Sequence, residues 1–289
     1  MKKFGLIGHP IAHSLSPSLF NAAYDGKYAY DLIEGEDFES SYQRFIEEYD
    51  AINVTAPFKE LAFAKADILS EECQSTGATN LLIKTSEGVK AYNSDFLGVR
   101  MWLSELAGSL KGTPPTAGTC SLQKPTGLFA DRSRPPAAMG VARLSSSQPA
   151  PKGIKILIVG LGGAGKAAAA AAESLGMEVI RMNRTVKDYH TRPLSEFRKY
   201  FREADIIIYN IPEAIPELKE LADSDFNTDR LKYILEANYK DPSLGKILKP
   251  FGSKSIYTGG KTWLLYQAVT GYEILTGEKP DLAKMSDVL

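Results

Sequence analysis

Residues 154–175 read IKILIVGLGGAGKAAAAAAESL, and their pattern decides the fold. The almost continuous apolar run over 154–159 fits a strand buried on both faces, and the alanine-rich run over 163–175 fits a helix packed closely on it. Between them, Gly160, Gly162 and Gly165 form Gly-x-Gly-x-x-Gly at the mouth of the helix, the setting that a dinucleotide fingerprint requires. The first glycine makes the tight turn and the second lets backbone approach a pyrophosphate. Gly163 and Ala164 begin a helix whose first N–H groups and positive dipole end suit an anion. A glycine turn with no ligand has the same letters, but the strand before it and the helix after it favour the nucleotide.

About twenty residues further on, a carboxylate would suit the ribose 2′-hydroxyl of NAD and an arginine a 2′-phosphate. The chain has Asn183, Arg184 and Thr185 there, with Lys187 nearby, while Glu178 sits at the wrong end of the strand. NADP is therefore expected over NAD.

Working outward, strands over 179–183, 206–209 and 233–237, a helix over 194–204 and an apolar helix over 261–275 complete an α/β unit. Upstream lies a second alternation of strands (4–8, 29–33, 51–54) and helices (from Ser16 toward 26, 38–49, 60–69). Ser16 reads as an N-cap and Pro17 as the first helical residue. Strands over 81–85 and 89–93, joined by a turn containing Gly88, precede a helix over 96–106. Alternation of this kind predicts a parallel sheet covered by helices. Residues 108–153 hold seven of the sixteen prolines and a net charge of +5 without periodicity, and read as an irregular insertion.

The expected fold is two-domain α/β: an N-terminal α/β substrate domain (1–100 with 262–289) and a Rossmann-type NADP-binding domain (101–261). A length of 289 residues fits two domains at about 150 each. Thirty-four basic against thirty-five acidic residues leave no field for nucleic acid. No apolar run approaches the roughly 18 residues of a membrane span, and the 4–8 run is too short for a secretory core. Cys73 and Cys120 lie in no metal-ligand or disulfide pattern, so no metal is expected and a reducing cytoplasm is the default.

A polar set recurs at strand ends in the first unit: Ser14, Ser16, Asn53, Thr55, Lys59, Asn80, Asn93 and Asp95. In an open α/β sheet these ends face the ligand crevice. Taken singly, each also has a plain reading, with Ser16, Asn80, Asn93 and Asp95 as caps or turns and Lys59 as a helix start. Tyr257 and Lys261 imitate a Tyr-x-x-x-Lys pair, but Gly259 and Gly260 between them disfavour the single helix it needs.

The ordered set resembles the shikimate dehydrogenase family. Gly8 to Pro17 resembles its Gly-x-Pro-x-x-His-Ser-x-Ser-Pro, Asn53 to Lys59 its Asn-Val-Thr-x-Pro-x-Lys, and Gly77 to Asn80 its Gly-Ala-x-Asn. Asn93 to Asp95 resembles its Asn-Thr-Asp, Gly160 to Gly165 its glycine loop, Asn183 to Thr185 its NADP clamp, and Gly260 to Gln267 its Gly-x-x-Met-Leu-x-x-Gln. The insertion has no counterpart.

The resemblance implies NADPH-dependent reduction of 3-dehydroshikimate to shikimate, a step toward chorismate and the aromatic amino acids, by a monomer or homodimer. It implies Lys59 and Asp95 as the acid/base pair and Ser14, Ser16, Asn53, Thr55, Asn80, Tyr239 and Gln267 around the substrate. Gly260 would border the cofactor. The chain departs from the family at Ala56, Phe96, Asp188, Glu236 and Trp263. Phe96 would crowd the cleft, Asp188 would weaken the NADP preference and Trp263 would alter the nicotinamide face. Two alternatives are a quinate or modified-shikimate dehydrogenase and an idle NADP-binding sensor.

Overall fold

The computed structural model describes residues 2–110, 153–186, 188–226 and 230–289; Lys187 and most of the expected insertion lie outside them. The first sheet has the order β2-β1-β3-β5-β6-β4. β1 (Lys3–Gly8), β2 (Ala29–Glu34) and β3 (Ala51–Val54) are parallel, with α1 (Ser16–Tyr24) and α2 (Phe38–Glu48) as the crossovers. The strand pair expected over 81–93 adds an antiparallel hairpin to this parallel part. β5 (Leu81–Thr85) runs antiparallel to β3, and β6 (Gly88–Tyr92) runs antiparallel to β5 because Thr85 pairs with Gly88 across a two-residue turn and the chain reverses at once.

Two local expectations are corrected. The helix expected over 60–69 is α3 (Lys59–Ala64) followed by a short edge strand, β4 (Ile68–Leu69), and then α4 (Glu71–Thr76). Asp67 stops the helix by locking onto β6: its N–H bonds Val89 O at 2.9 Å and its carboxylate accepts the Val89 N–H at 2.7 Å. Ser16 is the first residue of α1 and Leu15 its N-cap. Ser14 Oγ accepts the Ser16 N–H at 3.2 Å, so Ser14 does the capping and the Ser16 hydroxyl is not needed for it.

The second sheet is parallel throughout, in the order β12-β11-β10-β7-β8-β9. It comprises β7 (Lys155–Val159), β8 (Glu178–Asn183), β9 (Thr191–Pro193), β10 (Ile206–Tyr209), β11 (Lys232–Glu236) and β12 (Ser255–Thr258). The order reverses between β7 and β10, which opens a crevice at the carboxyl ends of the strands, where open α/β sheets take ligands. α6 (Gly163–Ser174) and α7 (Phe197–Glu203) cover opposite faces. Short helices α8 (Pro216–Lys219) and α9 (Leu244–Leu248) follow. The fully buried Ile156, Leu157, Ile158 and Val159 explain the continuous apolar run of β7.

Two long helices tie the sheets together. α5 (Ser94–Leu110) and α10 (Gly260–Thr276) pack on each other so closely that a Cβ on Gly98 would stand 2.6 Å from Gln267 N. Phe96, Leu97, Val99 and Trp102 of α5 share one apolar cluster with Ile156 and Ile158 of β7, Ala167 to Ala172 of α6, and Trp263 and Tyr266 of α10. Leu264, Leu265, Ala268 and Tyr272 of α10 pack instead with Phe4, Leu19 and Phe20 of the first sheet unit. α11 (Leu282–Val288) closes the chain, anchored by the buried Met285.

Candidate active site

The glycine loop divides its work among its three glycines. Gly160 has φ +90, a left-handed conformation that favours glycine, and its N–H bonds Met182 O at 2.8 Å. A Cβ on Gly165 would stand 1.8 Å from Gly160 O, so only glycine lets α6 approach β7. Nothing lies within 4 Å of a Cβ built on Gly162, the N-cap of α6, and no side chain caps that helix. The first N–H groups of Gly163 and Ala164 are thus left for an anion.

At the end of β8, Asn183 Nδ2 bonds Thr185 O at 3.3 Å and orders the turn. Arg184 and Thr185 are exposed, and Arg184 forms no ion pair among the described residues. Asp188, expected to oppose a phosphate, is engaged locally: its Oδ1 accepts the His190 and Thr191 N–H groups at 2.9 Å and the Thr191 hydroxyl at 3.0 Å. These bonds, the Thr191 hydroxyl first, hold its carboxyl below the usual range.

On the first sheet the polar set converges around Lys59 and Asp95. Lys59 Nζ, at the start of α3, lies 2.5 Å from Asp95 Oδ2 in the first turn of α5, and the Asp95 side chain is only 7% exposed. Asn80 Nδ2 donates to Ser94 Oγ at 2.9 Å and to Gln267 Oε1 at 3.4 Å, while Asn80 Oδ1 accepts the Ser94 N–H at 2.7 Å. Asn53 Oδ1 accepts from the Tyr30 hydroxyl at 2.8 Å. Thr55, half-buried beyond β3, lies beside Gly8, whose added Cβ would meet its methyl at 2.3 Å. Ser14 and Ser16 share a hydroxyl contact of 3.2 Å. Tyr239, beyond β11, reaches the apolar cluster of the first unit and packs with its members, and burial raises the pKa of its hydroxyl.

The two halves of the site meet. Lys59 Cδ is 3.7 Å from the position of a Cβ on Gly163, and Lys166 of α6 pairs with Glu60 at 3.3 Å. Gly260 stands apart from the glycine loop: its added Cβ would meet Asn238 O at 2.4 Å, so it brings α10 against the backbone next to Tyr239. Asn93 is structural, since its Oδ1 accepts the Phe96 N–H at 3.1 Å and caps α5, which releases Asp95 from that duty. Tyr257 and Lys261 do not pair. Tyr257 donates to the fully buried Glu236 at 2.5 Å, and Lys261 contacts Leu289 O. Phe96 joins the apolar cluster with α6.

Sequence reasoning missed three contacts. Asn210, directly after β10, places its Nδ2 3.4 Å from a Cβ on Gly165, and its position beyond the strand facing β7 was the available signal. Lys240 contacts His13 from the neighbouring unit, a meeting of exposed side chains that nothing local announces. Trp263 Nε1 lies 3.4 Å from Asp95 Oδ1.

A family model described as the shikimate dehydrogenase substrate binding domain matches residues 6–82, the stretch that carries Ser14, Asn53, Lys59 and Asn80. Shikimate dehydrogenase (NADP(+)) of Halothermothrix orenii is 25% identical over 96% of this chain and 92% of its own. Over residues 6–82 the chain thus resembles the substrate binding domain of shikimate dehydrogenases. The protein of the same name from Legionella pneumophila is 36% identical over 34% of this chain and 40% of its own. A model of the D-isomer specific 2-hydroxyacid dehydrogenase NAD binding domain matches residues 139–226, which fits the nucleotide fold of the second sheet. The shikimate complex of shikimate 5-dehydrogenase from Thermus thermophilus superposes with a TM-score of 0.70 at 23% identity, covering 100% of this chain and 97% of that one. Quinate dehydrogenase from Corynebacterium glutamicum, solved with NAD, gives 0.69 at 17% identity over 99% and 98%. Both likenesses show the fold. No helix among the described residues is long and apolar enough to cross a membrane.

Proposed function

We propose that the protein is an NADP-dependent shikimate dehydrogenase, reducing the ring carbonyl of 3-dehydroshikimate to the alcohol of shikimate and running in reverse when shikimate is supplied. The observation that carries the reading is the contact of Lys59 Nζ with the buried Asp95 carboxylate at 2.5 Å, beside the start of α6.

The residues present fit the cofactor: a glycine loop open at Gly162, an uncapped helix start and an exposed Arg184. Gly160, Gly162, Gly163, Ala164 and Gly165 would hold the pyrophosphate. Asn183, Arg184 and Thr185, together with Lys187, would hold the 2′-phosphate end, and Gly260 would border the cofactor through the Tyr239 loop. Bound there, NADPH supplies the hydride.

The chain's own groups do the rest. Ser14 and Ser16, with Tyr239 nearby, bind the substrate carboxylate. Asn53, Thr55, Asn80 and Gln267 orient the ring hydroxyls together with Asp95. The Lys59 ammonium donates a proton to the carbonyl oxygen as negative charge grows on it, and recovers that proton in the reverse direction. Asp95 aims the amine at the carbonyl oxygen. The contact argues against an idle nucleotide sensor, which has no use for a paired acid and base. In this reading residues 1–100 with 262–289 form the substrate domain and 101–261 the nucleotide domain. The enzyme works in the cytoplasm as a monomer or homodimer.

Following NADPH absorbance with 3-dehydroshikimate tests the reading, with shikimate and quinate as substrates in reverse. Turnover of shikimate well above quinate is the expected result. Preference for quinate would move the assignment to a quinate dehydrogenase, and absence of turnover with all three would overturn it.

A further inference from the structure

Asp95 is a buried carboxylate with two side-chain partners among the described residues. Oδ2 takes the Lys59 ammonium, and Oδ1 faces the indole N–H of Trp263, at 3.4 Å. The juxtaposition comes from helix geometry. Asp95 and Gly98 are three residues apart on α5, Trp263 and Gln267 are four apart on α10, and such spacings share a helix face. Because Gly98 has no side chain, the two faces press together, and the Trp263 ring, 7% exposed, is held in the apolar cluster with Phe96, Val99, Trp102 and Leu235. A ring so enclosed has little freedom to turn its N–H elsewhere.

We infer that Trp263 is a positioning residue for the proton-transfer pair: its indole N–H holds Asp95 Oδ1 so that Oδ2 stays turned toward Lys59. The inference rests on the dehydrogenase reading above. It assigns to Trp263 a role that a side chain without a donor could not fill. A buried carboxylate oxygen deprived of a donor disfavours the anion, so losing the N–H weakens the hold of Asp95 on Lys59. The charged or donor groups facing Asp95 are Lys59 from α3 and Trp263 from α10; Glu60 and Lys166 pair with each other at the rim.

Trp263→Phe keeps an aromatic ring and removes the donor, and Trp263→His restores an N–H. In the phenylalanine variant kcat should fall about tenfold with KM changed less than about twofold, and the acid limb of the pH profile should move up by about half a unit or more. The histidine variant should recover part of both. An acid limb at the wild-type position in the phenylalanine variant overturns the inference, whatever happens to rate or melting temperature. A second measurement needs no turnover. With isotope-labelled tryptophan the protein shows two indole N–H resonances, and the one assigned to Trp263 should shift in Asp95→Asn. If it does not shift, the inference fails even where the variants of Trp263 do not fold. A wild-type protein that turns over none of the substrates above would instead sink the functional reading, while the indole resonance still reports on the contact.

Discussion

Two residues of the site should separate cleanly in kinetics because charge changes near one and not near the other. In the proposed reaction Lys59 meets an oxygen that becomes negative, so Lys59→Ala should cut kcat by about a hundredfold or more with little rise in KM. In the same proposal Ser14 meets a carboxylate whose charge is constant, so Ser14→Ala should raise KM by up to about tenfold and leave kcat near wild type. Steady-state rates on both variants, with circular dichroism as the folding control, decide the matter; near-normal kcat without Lys59 would refute its role. At the other end of the cofactor, Arg184→Asp replaces a phosphate partner with a carboxylate that repels phosphate and accepts from a ribose. The ratio of kcat/KM for NADP to that for NAD should drop on the order of a hundredfold, and an unchanged ratio would remove Arg184 from the clamp. In the proposed reading, local engagement of Asp188 by Thr191 and the His190 backbone keeps that carboxylate from imposing this outcome already.

At the scale of elements, the contact of α5 with α10 sets the site, and Gly98 sets the contact. Gly98→Ala drives a methyl group onto the Gln267 backbone, which neither helix can yield cheaply, so it should cost ~1–3 kcal/mol in denaturant unfolding and lower kcat as well. Wild-type stability in that variant would show that the helices slide freely. A second element depends on a buried cation. Lys232 of β11, 2% exposed, donates to Phe201 O and Ala204 O at 2.7 Å and to Arg202 O at 3.1 Å, tying off the end of α7. Lys232→Met strands those carbonyls and should destabilise by ~3 kcal/mol near neutral pH. Burial pushes the Lys232 ammonium down from 10.5 to about 8. Between those values the unfolded chain binds more protons, so the wild type should gain stability with rising pH there, and the variant should lack that rise. Identical pH profiles would show that the amine titrates normally.

At this scale the chain's own letters predicted most of the second unit, because β7, α6 and β10 have strong local periodicity. They predicted less of the first. The stop at Asp67 is made by a partner on β6, 22 residues away, and no pattern within 60–69 announces it. β9 and β12 are short edge strands and went unseen for the same reason: their hydrogen bonds, not their residues, define them.

Across the whole molecule, the nucleotide site joins a strand, a helix start and a turn into one rigid unit, so saturation with NADP should stabilise the folded chain by mass action. At about a hundred times the Kd, the gain should be roughly 2.7 kcal/mol, read as a rise in Tm that Arg184→Asp diminishes. No rise at saturating NADP would contradict the cofactor assignment. The plain and functional readings of single residues also separated only at this scale. Asn93 proved to be the cap of α5 and Asp95 the partner of Lys59, although both stand at the same helix start and either type of residue can cap.

The amino-acid sequence by itself determined the glycine loop, the Arg184 turn and the alternation of strands and helices. Each depends on neighbours within a few residues: a left-handed φ at Gly160, a close approach at Gly165, an apolar run the length of one strand. Only the tertiary structure decided what those residues touch. Lys59 and Asp95 are 36 positions apart, and Asp95 and Trp263 are 168 apart. A hydrogen bond acts over about 3 Å and leaves no periodic trace in a linear chain, so the closure of α5 on α10 at Gly98 had to form before the carboxylate could acquire its second partner.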